Sequence, residues 1–163
     1  MHFEFDVDID APPDTVWRIF SDPENLPRWQ ASLESYEAVS GEPGWPGAVS
    51  LLVYHEDGRR VEVRGTVLER SEGRHFAGRY ENAWSVNDMV CRFEALPDGG
   101  TRWHAEAEYR LKGWVKILAP MLRDGLYRRL RDDMLRFKEM IEGEFTLQPP
   151  VPPEIRESPR DLR

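Results

Sequence analysis

The chain has 163 residues, 40% of them hydrophobic and 32% charged, with a formal net charge of -8. That length supports one core, and the composition excludes both a chain too polar to fold and one built on a membrane span. The acidic balance also argues against nucleic acid as a partner, because a phosphate backbone needs a basic footprint.

Phe3, Phe5, Val7 and Ile9 alternate with Glu4, Asp6, Asp8 and Asp10, which predicts a half-buried strand. Met1 runs directly into this alternation with no signal pattern, and a cytoplasmic address is expected. Pro12 and Pro13 end the strand, and a short helix follows through Val16, Trp17, Ile19 and Phe20. Ser21 or Asp22 can cap a second short helix with Pro23 in its first turn, and Pro27 limits its length just before Trp29.

Ser32 to Ser40 reads as a strand, followed by the turn-rich loop Gly41 to Gly47. Val49 to His55 and Arg60 to Leu68 form a hairpin about Asp57-Gly58. That turn sets Tyr54 opposite Val61, Leu52 opposite Val63 and Ser50 opposite Gly65, on the more apolar face. His75 to Tyr80 is a short strand. Trp84 to Leu96 and Thr101 to Leu111 pair through Pro97-Asp98-Gly99-Gly100. In the last strand Trp103, Ala105, Ala107, Tyr109 and Leu111 share one face, and Arg102, His104, Glu106, Glu108 and Arg110 the other. Its partner presents Ser85, Asn87, Met89, Cys91, Phe93 and Ala95 inward.

From about Lys112 to Gly143 the period lengthens to that of a helix, with an apolar stripe of Leu118, Leu122, Leu126, Leu130, Met134, Phe137 and Ile141 and a bend near Pro120. Arg123, Arg128, Arg129, Arg131 and Arg136 alternate with Asp124, Asp132 and Asp133, the pattern of a solvated face. Residues 1–143 thus make one domain. Residues 144–163 hold five prolines among charges and read as an extended or disordered tail. Meandering strands followed by one long helix give an α+β fold in which a curved antiparallel sheet of six to seven strands wraps that helix.

The residues Ile9-Asp10-Ala11-Pro12-Pro13, Val16-Trp17, Asp22-Pro23-Glu24-Asn25-Leu26-Pro27-Arg28-Trp29 and Pro97-Asp98-Gly99-Gly100-Thr101, with the C-terminal amphipathic helix, resemble the START-like (SRPBCC) superfamily. The closest branch is that of polyketide cyclases/dehydrases and lipid-transport proteins, and the likeness runs over about residues 2–143. It implies a helix-grip fold with a cavity between helix and sheet. Strand parity supplies the wall: Trp29, Leu52, Tyr54, Val63, Phe76, Tyr80, Asn87, Met89, Cys91, Phe93, Trp103, Tyr109, Leu122, Leu126 and Leu130.

His2, His55, His75 and His104 lie in separate strands without paired spacing, so no metal is expected, and no nucleotide or phosphate fingerprint suggests another cofactor. The polar groups of inward parity are Ser85, Asn87, Tyr54, Tyr80 and Tyr109, whereas Glu62, Arg64, Asp88, Glu106 and Glu108 point outward. A wall without a carboxylate or histidine pair favours binding over catalysis. The lone Cys91 excludes an internal disulfide and reads as a small buried hydrophobe rather than a nucleophile.

Three functions stay open at this point. The first is a carrier or sensor of a hydrophobic molecule such as a lipid, isoprenoid or aromatic polyketide. The second is a cyclase or dehydrase using acid-base groups in the same cavity. The third is an interaction module, like the chaperone-activating relatives, using the Arg cluster or the tail. The sheet edge leaves a homodimer open.

Overall fold

Period-two alternation in the first and last strands lets each present a dry face and a wet face, so the two pair edge to edge although about a hundred residues separate them. The computed structural model describes residues 1–147. In chain order these form β1 (His2–Ile9), α1 (Pro13–Phe20), a 3-10 turn (Pro23–Asn25), α2 (Leu26–Trp29), β2 (Leu33–Ser40), β3 (Val49–Glu56), β4 (Arg59–Ser71), β5 (His75–Glu81), β6 (Ser85–Ala95), β7 (Thr101–Leu111), a second 3-10 segment (Gly113–Leu118) and α3 (Ala119–Leu147). All pairings are antiparallel, in the order β1-β7-β6-β5-β4-β3-β2. The curved sheet grips α3, as its α+β pattern predicts.

The β3–β4 hairpin turns at Asp57 (φ 48°) and Gly58 (φ 75°), the left-handed pair that matches strand twist. Its register sets Tyr54 against Val61, Leu52 against Val63 and Ser50 against Gly65, as the turn dictates. Asp22 caps the 3-10 turn by accepting the Glu24 N–H at 3.0 Å. At the β6–β7 turn a Cβ on Gly100 would stand 2.8 Å from the Ile9 carbonyl oxygen, so only glycine fits against the end of β1. The buried Thr101 hydroxyl next to it donates to the Ala11 carbonyl at 2.8 Å.

The long helix differs from expectation at both ends. Residues Gly113–Leu118 form a 3-10 segment, and α3 begins only at Ala119. Pro120 sits in its first turn, where the missing N–H has no partner to lose, and so starts the helix instead of bending it. At the other end α3 runs through Gly143 to Leu147, so residues 144–147 are helical instead of belonging to the tail. Gly143 alone does not stop a helix. The rest of the Pro-rich tail lies outside the described residues.

Two apolar clusters form instead of one. The larger joins Phe3, Phe5, Ile9, Val16, Trp17, Ile19 and Trp29 to Cys91, Phe93, Trp103 and the C-terminal half of α3. Phe137 is fully buried at its centre, with ring centroids 5.0 Å from Trp103 and 5.3 Å from Trp29. The smaller cluster holds Leu33, Leu52, Tyr54 and Val63 on β2–β4. Hydrogen bonds fasten α3 to the near edge of the sheet: Lys138 Nζ donates to the Asp8 carbonyl at 2.6 Å, and Asp10 N–H donates to Glu142 Oε1 at 2.9 Å. Arg28 pairs with Glu144, tying α2 to the same helix.

The convex face is a ladder of charge pairs. Arg102 forks onto Asp8, Arg79 and Arg110 share Asp88, and His104 bridges Asp6 and Glu106.

Candidate functional site

Between the two clusters lies a cavity of about 780 Å³. It exists because the inner face of β7 is lined by Ala105 and Ala107 while the N-terminal half of α3 stands off the sheet. Along the helix stripe the burial changes steadily. Leu122 is 37% exposed, Leu126 and Leu130 are half-buried, and Met134, Phe137 and Ile141 are buried. One half of the helix seals the core and the other roofs the void.

Of the residues named from strand parity, Trp29, Leu52, Tyr54, Val63, Phe76, Tyr80, Asn87, Met89, Trp103, Tyr109, Leu122, Leu126 and Leu130 all line this cavity. Cys91 and Phe93 share their parity but lie outside the lining. The physical reason is α1, which covers the sheet at that level. Phe20 and Trp17 pack on Phe93 with ring centroids 4.8 and 5.6 Å away, and Phe93 stacks on Trp103 at 5.8 Å. Cys91 is fully buried beneath this layer, and burial pushes its thiol up to about 12 despite the Trp103 indole N–H beside it. It is a packing residue, with neither access nor thiolate character.

Polar groups enter the cavity from two sides. On the sheet, Tyr80 pairs with Asn87 and Asn87 with Tyr109, so three polar side chains form a row across β5, β6 and β7. Burial raises both phenols far above the usual range. The Asn87 Oδ1 is buried without a hydrogen-bond partner, and the Trp29 indole N–H is in the same condition. The Tyr80 and Tyr109 hydroxyls make no hydrogen bond among the described residues.

Opposite this row, Tyr54 donates to Gln30 Oε1 at 2.8 Å, and burial pushes the phenol up to about 12. The Arg129 guanidinium lies 5.2 Å over the Tyr54 ring and pairs with Glu56 at the end of β3, which links helix and hairpin across the cavity.

Strand parity gives no sign of Asp133. The charge pattern of α3 groups it with the solvated acids, but it lines the cavity with its side chain only 13% exposed. It accepts the Ala31 N–H at 3.4 Å and stands 3.5 Å from Arg136. Burial raises its carboxyl from 3.8 to about 6, against the opposing pull of Arg129. The cavity therefore does contain a carboxyl group poised near neutrality, contrary to the expectation from parity. A signal was present: position 133 is three residues after Leu130 and four before Phe137, which places it beside the apolar stripe.

The lining reaches Trp84, Trp114 and Leu122, and these adjoin Ile117 and Met121 in an apolar rim. Trp114 is 66% exposed and Met121 80%. Among the described residues, one group of three metal-ligating types converges, His2, Glu4 and Glu106, with donor atoms within 4.8 Å of one another. It lies on the convex face, away from the cavity, and its ring nitrogens are already engaged by Glu4 and Glu108. Much of the arginine cluster is likewise occupied. Arg123 covers Phe3, Arg131 pairs with Asp132, and Arg136 pairs with Asp133. No helix among the described residues is long and apolar enough to cross a membrane.

Comparisons with known proteins agree with this architecture. A structure titled Ara h 8.0201 superposes with a TM-score of 0.71 at 21% identity, covering 91% of this chain and 99% of that one. TTHA0849 from Thermus thermophilus gives 0.69 at 20% identity, over 90% and 98% of the two chains. A START superfamily protein from Mycobacterium smegmatis gives 0.68 at 16% identity, over 90% and 99%. At such identities the likeness establishes the fold alone. No curated protein matches the sequence. Residues 1–142 match the family described as polyketide cyclase / dehydrase and lipid transport. The chain therefore belongs to that family and has a helix-grip fold.

Proposed function

We propose that this protein binds an apolar small molecule, of the lipid, isoprenoid or aromatic polyketide kind, as a carrier or sensor. The observation that carries this reading is the division of the core into two clusters around a void of about 780 Å³. Native interiors are close-packed, and a gap of this size forfeits contacts along its whole lining unless a guest supplies them. The exposed rim of Trp84, Trp114 and Met121 gives such a guest an apolar threshold. Native mass spectrometry of the purified chain, followed by denaturing extraction, tests the reading. A co-purifying apolar molecule, or saturable uptake of one added afterwards, is expected. Failure to bind any of a panel of lipids, isoprenoids and polycyclic aromatics would sink it.

A second reading is favoured by Asp133. A carboxyl held near 6 at the cavity wall can take a proton from an activated carbon and return one to a departing hydroxyl, the proton traffic of a ring closure with loss of water. It expects the protein to accelerate aldol closure of a poly-β-ketone and Asp133→Asn to lose that acceleration. Equal rates for the two proteins would remove this reading and leave the first standing.

A further inference from the structure

We infer that the guest of the cavity is a neutral molecule carrying a hydroxyl group, an alcohol or phenol on a largely apolar frame, seated with that hydroxyl at Asn87. The inference rests on the cavity being a binding site and adds the chemical class of its occupant.

Three observations carry it. First, Asn87 is buried (6% exposed), lines the cavity, and has an amide oxygen with no partner. A buried, unsatisfied polar atom costs stability, so a native fold retains one where something else fills the bond. Second, its cross-strand neighbours on either side, Tyr80 and Tyr109, bring two hydroxyls that are also without hydrogen bonds among the described residues. Directly opposed residues on one face stand about 5 Å apart at Cβ, so a ligand oxygen at Asn87 is within reach of a phenol as well. A hydroxyl is the smallest group that both donates and accepts, and the amide offers both an acceptor and donors.

Third, the electrostatics of the wall disfavour an anion. The Arg129 charge is matched by Glu56, and Asp133 adds a carboxylate above its midpoint. Burial holds Tyr80 and Tyr109 in their neutral forms. The lining sets two cations, Arg59 and Arg129, against three carboxyl groups, Glu56, Asp57 and Asp133, so a ligand carboxylate would meet more acid than base, at a heavy desolvation cost. That separates this class from free fatty acids.

The test uses three fluorescent probes with one ring system, pyrene, 1-hydroxypyrene and 1-pyrenecarboxylate, titrated into the full chain at pH 7. The expected result is that 1-hydroxypyrene binds roughly tenfold more tightly than pyrene, the worth of one net hydrogen bond, and that 1-pyrenecarboxylate binds most weakly. In Asn87→Leu the ratio of 1-hydroxypyrene to pyrene affinity should fall to about one. Should that variant fail to fold, Tyr80→Phe and Tyr109→Phe serve in its place, with at least one expected to reduce the ratio. Pyrene binding as tightly as 1-hydroxypyrene, or the carboxylate binding best, overturns this inference while leaving the cavity a binding site. If none of the three binds, the hydroxyl inference falls, and the binding reading is decided separately by the panel of lipids and isoprenoids.

Discussion

The two halves of α3 carry the same kind of apolar stripe and meet opposite fates. Met134, Phe137 and Ile141 press into an aromatic layer built from α1, α2 and β7, whereas Leu122, Leu126 and Leu130 look across a void toward β3–β5. Nothing in the stripe itself distinguishes them. The difference comes from what each faces: Trp29 and Trp103 rise to meet Phe137, while the row beneath the other half contains Ala107 and the outlying polar trio of Tyr80, Asn87 and Tyr109. Stability is concentrated at one end of the molecule and binding capacity at the other. A large cavity is tolerable here because Phe137 and Ile141, at the heart of the sealed end, lie outside its lining.

The contrast can be broken by truncation. Phe137→Ala removes a fully buried ring and should cost about 3–5 kcal/mol in a urea unfolding series. A loss under about 1 kcal/mol would mean the two ends are packed alike.

A smaller effect belongs to Asp133. Its carboxyl has a higher pKa in the folded protein than the unfolded value of 3.8, so the fold prefers the protonated form. The stability linked to this group is complete below about 4 and is lost as pH rises through about 6. Asp133→Asn should therefore raise stability at pH 7 by on the order of 2 kcal/mol and change little at pH 3. Parallel curves for the two proteins across that window would show that the carboxyl is solvated and that the hollow end is wetter than described.

The smallest effect is expected from Leu126→Ala. This side chain already borders open space, so its removal creates no new sealed hole, and the cost should stay near 1 kcal/mol, far below that at Phe137. Added apolar ligand should widen the gap between wild type and variant, because the guest adds to the neighbours Leu126 already has in the larger cluster.

How much of this is legible in the sequence follows the same division. Strand alternation with a two-residue turn fixes which side chains face inward, and Leu52, Tyr54, Val63, Met89 and Tyr109 can be placed on the wall without coordinates. Cys91 and Phe93 have identical parity, but parity tells only the face and not what lies over it; that depends on where α1 comes to rest, a long-range matter. Asp133 is hidden for another reason. On a helix, charge suggests solvent, and only the angular nearness of position 133 to Leu130 and Phe137 argues otherwise. Gln30, which receives the Tyr54 hydroxyl, carries no local signal, since it merely follows the last turn of α2.

The register joining β1 to β7 has a consequence for how the chain reaches this state. Each other pairing in the sheet joins strands adjacent in sequence, but His2 finds Glu108 and Ile9 finds Thr101 only after nearly the whole sheet has been traversed. Closing so long a loop is entropically costly until many contacts can form together, and folds rich in distant pairings are slow to assemble. During synthesis the first strand made is among the last to find its partner. Its alternating acids, Glu4, Asp6 and Asp8, then act as a solubilising coat on an edge that would otherwise invite a stray neighbour.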